Sequence, residues 1–405
     1  MKSILKTLIE TTKSYPVIDN HAHPLLTAEN KASFPLEALF TEAEGDAIKD
    51  SVHSLSCFRA TAQLGQILGL DEPSWDDIKK TRNQMDYGDL CNLLMRPTRI
   101  QCLLLDDGLG GVAEMAEDWT WHRQFNCSVK RIVRIETEAE AILVRMVKES
   151  ESAPDLLTLA NFTQQLHKSL SVSAASEQVV AFKSIACYRT GLNIATWNLQ
   201  NDLRDSFTSA RQKCATDGKI RLAHKPFNDH IIRVALEIAG EHNIPVQFHT
   251  GLGDNDISLA FSSPSYLQPI IKACPKTQFV LLHSSYPYTR DAGYLTLVYA
   301  NVFLDFGEIF PMVSAHGQRA VIRQMLEITP TNKILWSTDG HWFPETYYLG
   351  TLQARTALCE VLSELVTCGD LTENQAVKIV QDVLFHNSNR VYNLGLEPNL
   401  VHEEK

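Results

Sequence analysis

The chain has no uncharged apolar run approaching the roughly 18 residues of a membrane-spanning helix. Its N-terminal apolar patch, MKSILKTLIETTKSYP, is interrupted by Lys6 and Glu10, so neither a signal peptide nor an anchor is expected and the cytosol is the default compartment. No CxxC pair occurs among nine cysteines scattered from Cys57 to Cys368, which argues against a disulfide framework and against a cysteine zinc site. Positive charge is in deficit. Lys and Arg total 37 against 48 Asp and Glu, and the net −11 opposes non-specific attraction to nucleic acid or anionic lipid. A small-molecule substrate is the expected partner, and a homo-oligomer is compatible with the composition. Internal repeats and low-complexity tracts are absent. The glycine-rich segment Asp106 to Gly111 (DDGLGG) lacks the Lys-Ser/Thr of a phosphate loop, and its paired acids would repel phosphate.

What remains is an ordinary globular composition, 44% hydrophobic and 21% charged, over 405 residues. That length exceeds one ordinary core and calls for a large barrel with an insertion or for two domains. Short apolar, β-branched runs alternate with helical patterns. The runs are Pro16 to His23, Arg99 to Asp107, Val129 to Glu136, Val179 to Tyr188, Ile244 to Thr250, Thr277 to Ser284, Val302 to Gly307 and Lys333 to Asp339. Amphipathic segments such as Asp229 to His242, Ser314 to Ile328 and Pro344 to Cys368 fall between or after them. Eight such units predict an α/β fold, a (β/α)8 TIM barrel forming a single domain over 1–405, with a doubly wound open sheet as the second choice. The interval 25–95 is too long for a strand connection and reads as a helical insertion after the first strand, either a lid over the barrel mouth or an edge-packing or dimerising element. A C-terminal helix is expected over about 372–394, by its periodicity.

The sharpest local feature is Ile18-Asp19-Asn20-His21-Ala22-His23-Pro24. Residues two apart on a strand share a face, so His21 and His23 can aim two imidazoles at one metal, or form a hydrogen-bonded pair at a strand end. His249 in VQFHTG, His283 in VLLHSS and Asp339 in LWSTDG each follow an apolar run where a barrel strand reaches its C-terminal face. Singly each suits a structural cap; jointly they favour a divalent metal centre, since active sites of barrels collect at that face. Lys183, inside an apolar strand, needs relief from the cost of burial. A carboxylate partner such as Asp339, an anionic substrate, or conversion to a metal-bridging carbamate would each provide it. Arg189 and Arg290, after strands four and six, are candidates to grip a substrate carboxylate, although arginines in such loops often form ordinary ion pairs. Trp336, Trp342, Phe343, Tyr286 and Tyr288 either line a pocket or simply pack. His341 is left outside the metal set as a lone loop histidine.

The order HxH, Lys, His, His, Asp on successive strands resembles the amidohydrolase superfamily, and more closely its amidohydrolase-2 group. The segments FKSIACYRTGL, LLHSSYPYTRDAGYL, LDFGEIFP and LWSTDGHWFPETYYLG resemble the amidohydrolase half of fungal FluG-type proteins, over most of the chain but least in the insertion. In those proteins a glutamine-synthetase-like part follows. The sequence ends at Lys405, so that part is not expected here and its ligase chemistry is not carried over. The resemblance implies that His21, His23, His249 and Asp339 bind metal, with Asp339 also handling the proton of the attacking water. It leaves His283 as either a ligand to a second ion or a substrate-polarising group, and Lys183 as either bridging carbamate or substrate contact. Zinc is the expected ion, with manganese as the other candidate and one or two ions in the site.

The preferred expectation is therefore a hydrolase that cleaves an amide or related C–N bond of a small, carboxylate-bearing substrate with metal-activated water, using Asp339, His283 and Lys183. A metal-dependent decarboxylase or other lyase would use the same barrel, and a catalytically retired barrel with a regulatory role is a third reading.

Overall fold

The computed structural model describes residues 5–109, 111–150 and 154–400. Eight parallel strands stand in sequential order: β1 (Val17–Ala22), β2 (Ile100–Asp106), β3 (Ser128–Arg134), β4 (Val179–Ser184), β5 (Val246–Phe248), β6 (Phe279–Leu281), β7 (Val302–Asp305) and β8 (Ile334–Leu335). Seven of the eight expected runs contain one of them whole, and β3 begins one residue ahead of its run. The circle closes where the segment beyond β8 runs beside β1. Asn20 N donates to the Trp336 carbonyl at 3.3 Å, Asp339 N to that of His21 at 3.0 Å, and His23 N to that of Gly340 at 2.7 Å. The fold is a (β/α)8 barrel.

Strand alternation divides the core into two layers. Ile18, Cys102, Leu104, Ile132, Ala181, Val280, Leu282, Phe303 and Leu335 fill the barrel interior. Their neighbours, including Val17, Leu103, Val129, Phe182, Phe248, Phe279 and Leu304, pack outward under the helices. Each such side chain removed from water contributes about 1.5–3 kcal/mol. The interior is stoppered at its lower end by Phe385 and Tyr392, both buried. They come from a C-terminal segment that is not the single helix expected over 372–394. A helix Glu373–Gln381 passes through a wide π-type turn, Asp382–His386, into Asn387–Val391.

Local chemistry sets the helix ends. Pro344–Cys368 starts on Pro344, which needs no amide partner in a first turn, and stops at left-handed Gly369. Within the insertion, helices Trp75–Gln84 and Tyr87–Met95 are separate because Met85 turns extended and the Asp86 side chain accepts from Asp89 N to cap a new helix. Ser74 and Asp77 form a reciprocal capping box on the first of these.

The insertion is fastened to the barrel. Arg82 Nε donates to Glu345 Oε1 at 2.5 Å with both side chains buried, and Phe34 stacks on Trp342 with centroids 4.0 Å apart. Ser56 Oγ donates to the Met312 carbonyl, and Arg59 to Gln318. It therefore covers one flank of the barrel and reaches the mouth through its leading segment. None of the described helices is long and apolar enough to cross a membrane.

Candidate metal centre

On β1, Ile18 and Asn20 both face the interior, so strict alternation would send His21 and His23 outward. A register slip prevents this. Asp19 pairs with Leu103 but Ala22 with Leu105, which places one extra residue on β1, and the bulge re-aims both imidazoles at the barrel axis. The rings lie 5.0 Å apart, with His21 5.6 Å from His283 and His283 4.2 Å from His249. Lys183, on β4, places Nζ 3.0 Å from His21 Nε2.

Two donor groups result. In the first, Asp339 Oδ1 lies 3.3 Å from His21 Nε2 and 3.5 Å from His23 Nε2. The second comprises His249, His283 and Glu308, with His283 Nδ1 3.1 Å from Glu308 Oε2. Asp339 Oδ2, 4.0 Å from His283 Nδ1, links them. Backbone carbonyls select tautomers. His23 Nδ1 donates to the Asp106 carbonyl at 2.8 Å, leaving the lone pair on Nε2 toward Asp339. His249 Nε2 donates to the Leu252 carbonyl at 2.7 Å, with the Tyr188 hydroxyl 2.9 Å away, so its lone pair falls on Nδ1.

Burial and neighbouring charge shape the titration of these groups. Burial, helped by the nearby Lys183, pushes His21 down to about 4 and holds His249 well below the ordinary histidine range. His283 is also held well below it, by burial and by His249. For Asp339 burial acts upward, but His283, His21 and His23 outweigh it and keep the carboxyl well below its usual range. Burial lowers Lys183 against the pull of Asp106, and raises Glu308 together with the charge of Asp339 and Glu42. Burial thus opposes charge on the imidazoles, while any charge they do carry favours the ionised form of Asp339.

The donor set fits a divalent cation. His21 Nδ1, both nitrogens of His283, Glu308 Oε2 and Asp339 Oδ1 are buried without a hydrogen-bond partner. So many unsatisfied polar atoms in one place are rare in folded proteins unless an ion or water serves them. Mixed imidazole and carboxylate donors suit zinc, manganese and similar ions.

Backbone strain concentrates at the same place. His283, Ser284 and Ser285 have φ of 67°, 55° and 48°, Glu308 60° and Asp339 53°, all in the left-handed region that β-carbon-bearing residues avoid. Gly251 is also there at φ +84°, and a Cβ on it would come within 2.3 Å of the Tyr286 carbonyl oxygen. The loop after β5 can approach the loop after β6 only because position 251 has no side chain.

The remaining expected residues are placed as follows. Arg189 lies 3.3 Å from Glu140 and is mostly buried, whereas Arg290 is exposed on an outer helix with Nε and Nη2 donating to Glu327. Trp336 is fully buried in the core, Phe343 is buried under Arg82, and Trp342 packs on Phe34. Gly110, in the Asp106–Gly111 segment, lies outside the described residues. A cleft of about 710 Å³, lined by Cys57, Phe58, Leu70 and Trp75, belongs to the insertion and shares no residue with the histidine cluster.

Three participants escaped the sequence reading. Glu308 stands just past β7, where the strand-end rule applied to every strand would have found it. Asp106, at the end of β2, orients His23 through its carbonyl while its carboxylate takes Nε and Nη2 of Arg134 at 3.0 and 2.6 Å. Glu42 comes from the insertion, and no local pattern marks it. Burial and the charges of Asp339, Asp254 and Glu44 lift it to about 7 against the pull of His341.

A family model described as amidohydrolase (Amidohydro_2) matches residues 214–394. Protein fluG of Emericella nidulans is 41% identical over 98% of this chain, and the chain spans 47% of that protein's length. Among solved structures, a candidate metal-dependent hydrolase from Lactobacillus casei ATCC 334 superposes with a TM-score of 0.81 at 24% identity, covering 96% of this chain and 97% of the other. A uronate isomerase from Thermotoga maritima gives 0.66 at 14% identity, with 96% and 98% covered. Both likenesses concern the fold.

Proposed function

This chain belongs to the amidohydrolase superfamily, and from that premise we propose that it hydrolyses an amide or related C–N bond of a small substrate at a divalent metal centre. The observation that carries the reading is Asp339. Its buried Oδ1 lies between two imidazole nitrogens and accepts no hydrogen bond, and its neighbours keep it ionised.

His21, His23 and Asp339 would hold one ion, with His249, His283 and Glu308 the donors for a second or for the substrate. A divalent cation held there polarises a carbonyl and lowers the pKa of water to roughly 7. Asp339 accepts the proton of the attacking water and delivers it to the leaving nitrogen, which departs as an amine. His283, neutral and free of other hydrogen-bond partners, faces the same space and steadies the oxyanion, a role worth several kcal/mol. Lys183 at 3.0 Å from His21 belongs to the same inner shell, as substrate contact or as a bridging carbamate. With Arg290 engaged on the outer flank, selection of a substrate carboxylate would fall to Arg189, whose partner Glu140 it would have to share.

The test is Asp339→Asn. The variant should keep the circular dichroism of the parent and lose turnover of amides such as γ-glutamyl amides and N-acyl amino acids by about a thousandfold or more. Zinc or manganese uptake should fall with it. Turnover within a few fold of the parent would exclude the proton relay. Release of carbon dioxide with no water incorporated would replace hydrolysis by lyase chemistry.

A further inference from the structure

We propose that Asp305 is a positioning residue whose carboxylate ties together four of the five strand ends that carry the donor set; the proposal rests on the metal-centre reading above. Asp305 ends β7, is fully buried and points into the barrel beneath the histidines. Its Oδ2 accepts from His283 N at 3.2 Å, Gly307 N at 2.9 Å and Ser337 Oγ at 3.0 Å. Its Oδ1 accepts from Asn20 Nδ2 at 2.9 Å. Each donor adjoins a site residue. Asn20 precedes His21, His283 is itself in the set, Gly307 precedes Glu308, and Ser337 lies two before Asp339.

The backbone explains why such a clamp is needed. The left-handed conformations at His283, Ser284, Ser285, Glu308 and Asp339 are costly for residues with a β-carbon and persist only where the surroundings over-determine them. Asp305 bonds the amide that opens the 283–285 turn and the amide just ahead of Glu308, and so supplies that constraint at two of the strained positions. No amide can replace it. An asparagine oxygen placed at Oδ2 turns its NH2 group toward the NH2 of Asn20. Asn20 cannot flip to oblige, because its Nδ2 also donates to the Trp336 carbonyl at 2.6 Å and its Oδ1 accepts from the Tyr392 hydroxyl at 3.0 Å.

That mismatch makes the proposal testable by substitution. Asp305→Asn should speed amide hydrogen exchange of the metal-free protein about tenfold in segments 283–286 and 306–308. It should also weaken zinc or cobalt binding by about 10–100-fold. Asp229→Asn is the control. That buried carboxylate serves Ala195 N and Lys225 elsewhere, so its loss should lower stability without touching these segments or the affinity. If Asp305→Asn does not fold, Ser337→Ala removes one bond to the same oxygen and should give the same changes at smaller size. Unchanged exchange, or equal effects from Asp229→Asn, would overturn the assignment. A parent protein that takes up no metal would sink the proposed function instead, while the exchange data would still decide the role of Asp305.

Discussion

Replacing Arg82 by Met should be among the most damaging single changes outside the donor set. Arg82 and Glu345 are each only 3% exposed, and their atoms meet at 2.5 Å. Removing the guanidinium strands a carboxylate in the interior, one of whose oxygens already lacks a partner. A stranded buried charge costs about 3–5 kcal/mol. Two smaller losses accompany it: the bond to the Lys31 carbonyl, about 0.5–1.5 kcal/mol, and the approach of the guanidinium to the Phe343 ring at 4.9 Å. Adding Glu345→Gln removes the stranded charge but not those losses. The double variant should therefore be less destabilised than the two single changes predict together, by about 2–3 kcal/mol. Urea unfolding of the parent, both single variants and the double variant measures this coupling. Because Lys31 and Arg82 both lie in the insertion, limited proteolysis should also cut residues 25–95 faster in Arg82→Met. A coupling under about 0.5 kcal/mol would show that the pair neither fixes the insertion nor carries the burial cost assigned to it.

Two further predictions concern the loops around the mouth. His122 is buried and pushed down to about 4, chiefly by desolvation, while its Nε2 accepts from Leu25 N at 3.0 Å. Its folded pKa lies below the unfolded value near 6.5, so it stabilises fully above that value and progressively less as pH falls toward 4, by about 1.4 kcal/mol per unit. His122→Gln keeps an acceptor and removes the proton. Between about pH 7 and pH 4.5 the parent should lose about 2–3 kcal/mol more stability than the variant, the donor-set histidines being common to both; parallel curves would refute this. Gly251→Ala combines a left-handed backbone, about 1–2 kcal/mol for an L-residue, with a backbone overlap at 2.3 Å. Urea unfolding should show a loss of at least about 2 kcal/mol and metal uptake should weaken through His249; a loss below about 0.5 kcal/mol would mean that the two loops separate freely.

Most of the fold was legible because barrel strands are short apolar runs buried on both faces, a pattern that survives without knowledge of their partners. The misreadings fall at ends. The run Ile244 to Thr250 yields only Val246–Phe248, and Lys333 to Asp339 only Ile334–Leu335. In each case the residues beyond the ladder have turned toward the mouth, and they include His249 and Asp339. The same departure from regular backbone that makes a strand end useful makes it hard to bound. The insertion was legible as helical but not in its docking, since Arg82 and Glu345 are 263 positions apart and neither looks unusual locally.

The site was legible as a list of residue types and much less as a geometry. Spacing alone places His21 and His23 on one face of β1 but does not say which face, and Ile18 and Asn20 argue for the wrong one. Only the extra residue between Asp19 and Ala22, visible in the pairing with β2, brings adjacent Asn20 and His21 to the same side. The consequence is physical as well as topological. Without the bulge, Asn20 could not reach Asp305 while His21 reaches Lys183 and Asp339, because neighbouring residues on a regular strand face opposite ways. The clamp beneath the histidines and the donors above them therefore depend on one backbone irregularity. Deleting a single residue from 19–22 should abolish metal uptake even if the barrel forms, and a deletion variant that folds and binds zinc like the parent would disprove that dependence.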